Sequence, residues 1–388
     1  MRILMLSHGY PPTLSGVTRV VQKLSRDMIK RGHTVCVVAA SEHGSTYRAE
    51  DDGVQLIRLS SYNNPFWRDG RFPWINSIEL QKIIDSFKPD LIHSHENVIL
   101  STQLLRLKPG LNVPVIVSCY FLPVFATYYL RLGKTLGKLS QQIQWKFFIG
   151  SFNKYDHAIF STHSHLQPFL EHGLSVPTSV ISNGIDFARY NSSHETTQAN
   201  PPGLSLPPRP RMLFVSRLAR DKKIDVLLKA MPSILSRQEV YLLLVGQGDD
   251  HRRLQNIANK LLIADHVHFM GYVPETLLPA VYKASDLFAL VSDCEVQSIP
   301  TLQALAAGVP VVAANAAALP ELVKHGVNGY LVPPDDPASV SQAVLQLLSD
   351  RPRASMMGRE GIEIARKHSD VKILNEFENL YRALTNHH

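Results

Sequence analysis

The sequence predicts an α/β protein made of two Rossmann-like domains, and three observations carry that prediction. Its 388 residues are long for one domain. Short apolar runs alternate with stretches of helical period through both halves. Between the halves, 191–210 holds five Pro, with four Ser or Thr near its start, and reads as a linker.

The elements follow in order. The apolar run 3–6 is a strand, and 16–31 has the spacing of an amphipathic helix closed by Gly32. Further strands are predicted at 34–39, 90–93, 115–117, 158–161 and 179–181. Asn183-Gly-Ile-Asp186 reads as a turn near the end of a first domain set at 1–190. The pattern then restarts: strand 211–216, helix 224–235, strand 240–245, helix 252–262 and strand 267–270. Next come a strand at 287–291, a helix ending at Gly308 and a strand at 309–313, in a second domain set at 211–371. There is no internal repeat or low-complexity tract.

Composition narrows the class. A hydrophobic content of 45% with 19% charged residues suits a soluble α/β protein with sizeable cores. Cys36, Cys119 and Cys294 are scattered and odd in number, which predicts no disulfide frame and a reduced, cytoplasmic setting. The start, 1–7, is too strand-like for a signal peptide. The uncharged run 113–130 nearly reaches membrane-spanning length, but Pro114 and Pro123 interrupt it.

The net charge of +7 is uneven. Residues 1–190 hold 20 Lys or Arg against 13 Asp or Glu, and 191–388 hold 20 against 20. No acidic residue occurs from 97 to 155, where Arg106, Lys108, Arg131, Lys134, Lys138, Lys146 and Lys154 are interleaved with aromatics such as Phe125, Tyr128 and Tyr129. One reading is a solvated helix face over a core face. The other is a surface that sits peripherally on an anionic membrane. No recognition motif accompanies the charge, so nucleic acid is not an expected partner.

The chemistry concentrates around Glu295-Val-Gln-Ser-Ile-Pro-Thr-Leu-Gln303, between the strand at 287–291 and the following helix. Such a strand-to-helix loop is where α/β folds place ligands. Ser298 is a good N-cap and Pro300 fits the first turn. The N–H groups near Ser298 and Ile299 would face an anion such as a phosphate. Glu295 can accept hydrogen bonds from hydroxyls, and Gln303 lies on the helix face of Ile299. Elsewhere, His93-Ser-His95 ends a strand with both imidazoles on one side. As a metal pair these lack a third ligand at recognisable spacing, and packing or a place at the cleft is the better reading.

The stretch 282–334 resembles the donor site of retaining glycosyltransferases of the large GT-B family 4. That family carries two glutamates eight positions apart, then Pro-Val-Val-Ala and a Gly-x-x-Gly run, here Gly326 to Pro333. Glu295 matches the first glutamate. The second is Gln303, and the glycine usual at 298 is Ser298. The resemblance extends over nearly the whole chain. Ser15-Gly16 stands for the glycine pair at the first helix start, Arg217 and Lys222 for the cations that clamp the donor diphosphate, and Gly246 and Tyr272 lie in loops that hold the nucleobase. Taken alone, Arg217 and Lys222 are an exposed basic turn. The family's glycine after the lysine is Lys223, and its Thr-x-His is Ser118-Cys119-Tyr120.

The resemblance implies a GT-B fold with two Rossmann-like domains facing a central cleft, and a final helix near 372–388 that packs back on the first. It implies transfer of a sugar, with retention, from a UDP- or GDP-linked donor to a hydroxyl acceptor, with a membrane lipid as one acceptor class and a soluble molecule as another. Glu295, Tyr120, Arg217 and Lys222 are the expected catalytic residues. Ser15, Gly16, Arg217, Lys222, Gly246, Tyr272, Glu295, Ser298, Ile299 and Gln303 are the expected donor-binding set. No cofactor and no metal are expected, and no Asp-x-Asp triplet occurs. The changes at 120 and 303 keep open a degenerate binding or regulatory subunit. A nucleotide-sugar epimerase or phosphorylase of the same fold is the remaining alternative.

Overall fold

A computed structural model describes residues 1–13, 15–63, 71–96, 98–123, 134–192 and 205–386. The chain divides into two compact units, 1–182 with 371–388 and 183–370.

The first unit holds an eight-stranded sheet. Its spatial order is Thr178–Val180, His157–Phe160, Val115–Ser118, Leu91–Ser94, Arg2–Leu6, Thr34–Ala40, Val54–Leu59 and Tyr47–Asp51. Every pairing is parallel except the last. The central strands are buried over nearly their whole length, because helices cover both sheet faces. The edge strand Tyr47–Asp51 is polar and largely exposed. That strand, Val54–Leu59 and the hairpin of Ser61–Asn63 with Arg71–Pro73 are additions to the predicted elements. Their mixed polar sequences lack the continuous apolar run that marks a buried strand.

The last helix, Asp370–Asn386, belongs to this unit. Its Ile373, Phe377 and Tyr381 are buried with Ile3, Met5 and Val35. Arg31 Nη1 and His33 Nε2 reach Glu378 at 2.5 and 3.2 Å.

The second unit holds a six-stranded sheet. The order is Val267–Gly271, Tyr241–Val245, Arg211–Val215, Leu287–Leu290, Val311–Ala314 and Gly329–Val332, all parallel. Residues 183–190, which the sequence assigned to the first domain, lie in this unit. Ile185 bridges to Ser369, and both Ile185 and Tyr190 are buried in the second core. An apolar anchor at each position outweighs the turn signal at Asn183-Gly184. Of the expected linker 191–210, residues 193–204 lie outside the described residues, and Leu206 is buried in the second core.

In each sheet the chain runs outward one way and then returns to the other side of its first strand. These reversals fall between Arg2–Leu6 and Leu91–Ser94, and between Arg211–Val215 and Leu287–Leu290. The carboxyl ends of strands at such a reversal form the ligand crevice of an open α/β sheet.

Candidate active site

In the second unit, the loops after Arg211–Val215 and Leu287–Leu290 leave from the reversal point. They carry Arg217 and Lys222 on one side and Glu295 and Ser298 on the other. Lys222 Nζ lies 2.7 Å from Glu295 Oε1 and 3.3 Å from Asp221 Oδ2. Burial by itself would lower the Lys222 pKa, but Glu295 and Asp221 together hold it above the ordinary lysine value. The ammonium therefore stays charged. Arg217 is more open: its side chain is 56% exposed, with Nη2 at 3.8 Å from Asp221.

The backbone fixes this pair. Ser292 Oγ donates to the Asp221 carbonyl at 2.9 Å, tying the two loops together. Ala318 N donates to the Glu295 carbonyl at 3.1 Å. Lys223 sits at φ +53°, in the left-handed region. That accounts for the family's glycine there, and the strain at Lys223 is opposed by ion pairs of its Nζ with Asp293 and Asp335 at 3.4 and 3.0 Å.

Ser298 is the N-cap of helix Ile299–Ala306, its side chain accepting from Thr301 N at 3.2 Å. Pro300 has no N–H and that of Thr301 is used, which leaves those of Ser298 and Ile299 pointing out of the helix end. Gln303 is one turn further on. Tyr282 Oη lies 3.1 Å from Gln303 Oε1 and 3.1 Å from the Pro300 carbonyl. A phenol has one proton for two acceptors, so the network closes when the Gln303 amide turns its NH₂ toward Tyr282. Its oxygen then faces outward as an acceptor.

Gly246 and Tyr272 stand at adjacent strand ends, where Gly246 N donates to the Gly271 carbonyl at 2.8 Å. A Cβ on Gly246 would fall 1.9 Å from the Ser216 carbonyl oxygen. The glycine is thus demanded by the close approach of two backbones. The second glycine of the Gly-x-x-Gly run, Gly329, is likewise pressed on the Val311 carbonyl, at 2.1 Å from its would-be Cβ. Tyr272 is 52% exposed.

The other expected residues lie in the first unit. Ser15 caps helix Gly16–Lys30, its side chain accepting from Thr18 N. A Cβ on Gly16 would meet nothing within 4 Å. Among the described residues, therefore, nothing in the packing requires glycine there. Tyr120 Oη lies 2.8 Å from His95 Nδ1. His93, in the strand, bonds instead to Tyr381 Oη at 2.6 Å and Ser118 Oγ at 2.8 Å. The His93 and His95 rings pack at 3.8 Å. Both are buried, and burial pushes their pKa values down, that of His95 to about 3. Among the described residues no cluster of His, Cys, Asp or Glu is arranged to hold a metal.

Within the second unit the structure groups Arg217, Lys222, Glu295, Ser298, Ile299 and Gln303 at one helix end. Sequence reasoning missed Asp221, which bridges the two cations, and Tyr282, which orients Gln303. Asp221 had a signal, an acid between the two basic positions. Tyr282 had none, since it lies 21 residues from Gln303.

Two family models account for most of the chain: glycosyltransferase family 4 over 14–189 and glycosyl transferases group 1 over 198–364. The chain belongs to the GT-B glycosyltransferases of these families. This glycosyltransferase is 27% identical to an uncharacterized glycosyltransferase of Methanocaldococcus jannaschii, over 98% of each chain. It is 26% identical to the alpha-monoglucosyldiacylglycerol synthase of Streptococcus pneumoniae, over 85% of this chain and 75% of that one. Among solved structures, the sucrose-phosphate synthase of Thermosynechococcus elongatus superposes with a TM-score of 0.83 at 21% identity, covering 100% of both chains. HepE of Anabaena, solved with UDP-glucose, gives 0.77 at 18% identity, over 99% of this chain and 100% of that one.

Proposed function

We propose that this glycosyltransferase moves a sugar, with retention, from a UDP- or GDP-linked donor to a hydroxyl of a membrane lipid. The observation that carries the donor half is the Lys222–Glu295 pair beside the N-terminus of helix Ile299–Ala306. Lys222 has three N–H donors, and two carboxylates use two of them. The third, Arg217 and the Ser298 and Ile299 amides form a fixed positive surface for a diphosphate. Negative charge that grows on the departing diphosphate is stabilised there without reorganisation. Glu295 keeps Oε2 to accept from the sugar's hydroxyls, and Gln303 offers an oxygen to the ribose. Gly246 and Tyr272 edge the nucleobase end. The leaving phosphate takes the acceptor's proton, so no strong protein base is required and no metal enters.

A different observation supports the lipid acceptor. In helix Lys134–Phe152, Leu139, Ile143 and Phe147 recur every four residues and are 54%, 61% and 48% exposed. Lys146 is exposed beside them, within the acid-free segment. Residues 97 and 124–133 and the side chains of Lys134 and Lys138 lie outside the described residues. An exposed apolar stripe beside Lys146, in a segment without acids, suits shallow insertion into an anionic bilayer. Among the described residues no helix is long and apolar enough to cross a membrane. The pneumococcal relative's name, which specifies a glycosylated diacylglycerol, agrees with this acceptor class.

The test is direct. The purified protein is incubated with labelled UDP- and GDP-sugars and a bacterial lipid extract, and the product is analysed by NMR. A glycolipid with the anomeric configuration of the donor is expected. An inverted linkage overturns retention, and a water-soluble glycoside overturns the lipid.

A further inference from the structure

His95 is 1% exposed, yet its Nε2 has no hydrogen-bond partner among the described residues. Its other nitrogen, Nδ1, lies 2.8 Å from Tyr120 Oη. The imidazole is neutral, because burial holds its pKa near 3, and a neutral imidazole carries one N–H. Two arrangements exist. If the proton sits on Nε2, a buried donor is orphaned while the phenol gives its own proton to Nδ1. If it sits on Nδ1, a lone pair is left bare at Nε2, and the phenol proton is freed for the Ser118 side chain, which also bonds the phenol, or for a ligand. Orphaned buried N–H groups are rarer than under-used acceptors, and leaving a buried donor unpaired is the costlier error. The second arrangement wins. His95 Nδ1–H then donates to the phenol oxygen, and the Tyr120 proton turns away from His95.

The two rings are nearly parallel, at 19° with centroids 5.9 Å apart, so the phenol cannot pivot without breaking the contact. His95 is itself clamped by the His93 ring, which Tyr381 and Ser118 hold on both nitrogens. Tyr120 follows strand Val115–Ser118, and His95 follows Leu91–Ser94, the strand at the first sheet's reversal. Both therefore stand at the strand ends where a ligand of this unit belongs. Burial pushes the Tyr120 phenol above its ordinary pKa, against a smaller lowering by its hydrogen bond with the Ser118 side chain, so it keeps its proton.

We propose that His95 is a positioning residue that makes Tyr120 a one-way hydrogen-bond donor to a hydroxylated substrate bound at the strand ends of the first unit. His95 fills one acceptor position of the phenol and the Ser118 side chain is its other polar neighbour, so what Tyr120 offers a sugar or acceptor oxygen is its O–H. The kinetic part rests on the glycosyl-transfer reading given above.

Two measurements test it. In the wild-type protein, ¹⁵N-histidine NMR is expected to show a neutral His95 protonated at Nδ1, and a proton on Nε2 overturns the proposal. In kinetics, H95A and Y120F are each expected to lower kcat about tenfold, the scale of one hydrogen bond, with the donor KM unchanged. The double variant should lose no more than either single one. H95N, whose amide N–H replaces Nδ1–H, should stay within about threefold of wild type, a fraction of one hydrogen bond. An H95N as poor as H95A, with both melting like wild type, or losses that multiply in the double variant, overturn the assignment. If the wild-type protein transfers no sugar from any nucleotide, the glycosyl-transfer reading fails, and the NMR experiment still decides the tautomer.

Discussion

Lys222 and Glu295 are 73 residues apart in sequence and 2.7 Å apart in space, joining two loops that leave adjacent strands. Each residue serves the other. The carboxylate keeps the ammonium charged in a buried place, and the ammonium fixes which carboxylate oxygen stays available. Their neighbour Arg217 pairs with Asp221 at 3.8 Å, and its side chain is 56% exposed. On the proposed reading Lys222, the more buried of the two, holds the site's shape and Arg217, the more exposed, meets the incoming diphosphate.

That division gives the first prediction. Arg217→Ala should weaken UDP or GDP binding at least about tenfold, as one charge-assisted hydrogen bond of about 1.5–3 kcal/mol requires. The melting temperature should not move. Unchanged nucleotide affinity by calorimetry removes Arg217 from the site.

Transfer should continue in EDTA. On the proposed reading, the charges that offset the diphosphate are side chains and helix N–H groups. Loss of turnover with chelator, restored by Mn²⁺, contradicts this expectation.

Gln303→Glu should alter donor affinity by no more than about 1–2 kcal/mol, because one hydrogen bond changes its character. The Tyr282 proton must then serve the new carboxylate as well as the Pro300 carbonyl. If the Glu variant instead switches on a silent protein, a degenerate binding subunit is the correct account of the wild type.

Flotation on vesicles tests the lipid surface. Binding to anionic vesicles should exceed binding to neutral ones and weaken at high salt, because each cation near the surface contributes about 1 kcal/mol. Lys134→Glu with Lys138→Glu should weaken it, and so should Ile143→Asp. Equal and negligible binding to both vesicle types leaves segment 97–155 as a solvated face and the acceptor as a soluble molecule.

The terminal helix should loosen in acid. Arg31 first, then Arg382 and His33, hold the Glu378 carboxyl well below its ordinary pKa of 4.5, at about 2. A depressed folded pKa means stability that is present above the unfolded value and lost as pH falls toward the folded one. Hydrogen exchange of helix Asp370–Asn386 should therefore accelerate between the two values, and Glu378→Gln should remove much of that pH dependence. An exchange rate flat across that window refutes the coupling.

The sheet strands were legible because parallel strands buried on both faces leave continuous apolar runs. Leu287–Leu290 and Tyr241–Val245 fall within a residue of the expected spans. Ser298 was legible as a cap because a capping residue before Pro at the first helical turn is a local signal, whereas Lys222 was singled out by the resemblance alone, since by itself it reads as an exposed basic turn. What stayed hidden depends on long-range pairing. Nothing near Gln303 announces Tyr282, and nothing near Tyr120 announces His95, since both contacts exist only once neighbouring elements have packed. The polar edge strands were missed because they bury too little to mark the sequence. The boundary near 183 was misplaced because Ile185 and Tyr190 anchor a segment that looks like a turn.

The return of helix Asp370–Asn386 to the first unit has a consequence for how the protein is made on the ribosome. Residues 183–370 form a continuous unit that can close as soon as it emerges. The first unit, although synthesised earlier, must wait for the last residues of the chain before Ile3, Met5 and Val35 have their full cover. Until then an apolar strip of a nascent parallel sheet is bare, which is the kind of surface chaperones hold. A stop codon shortly before 370 would therefore damage the half of the molecule that was made first.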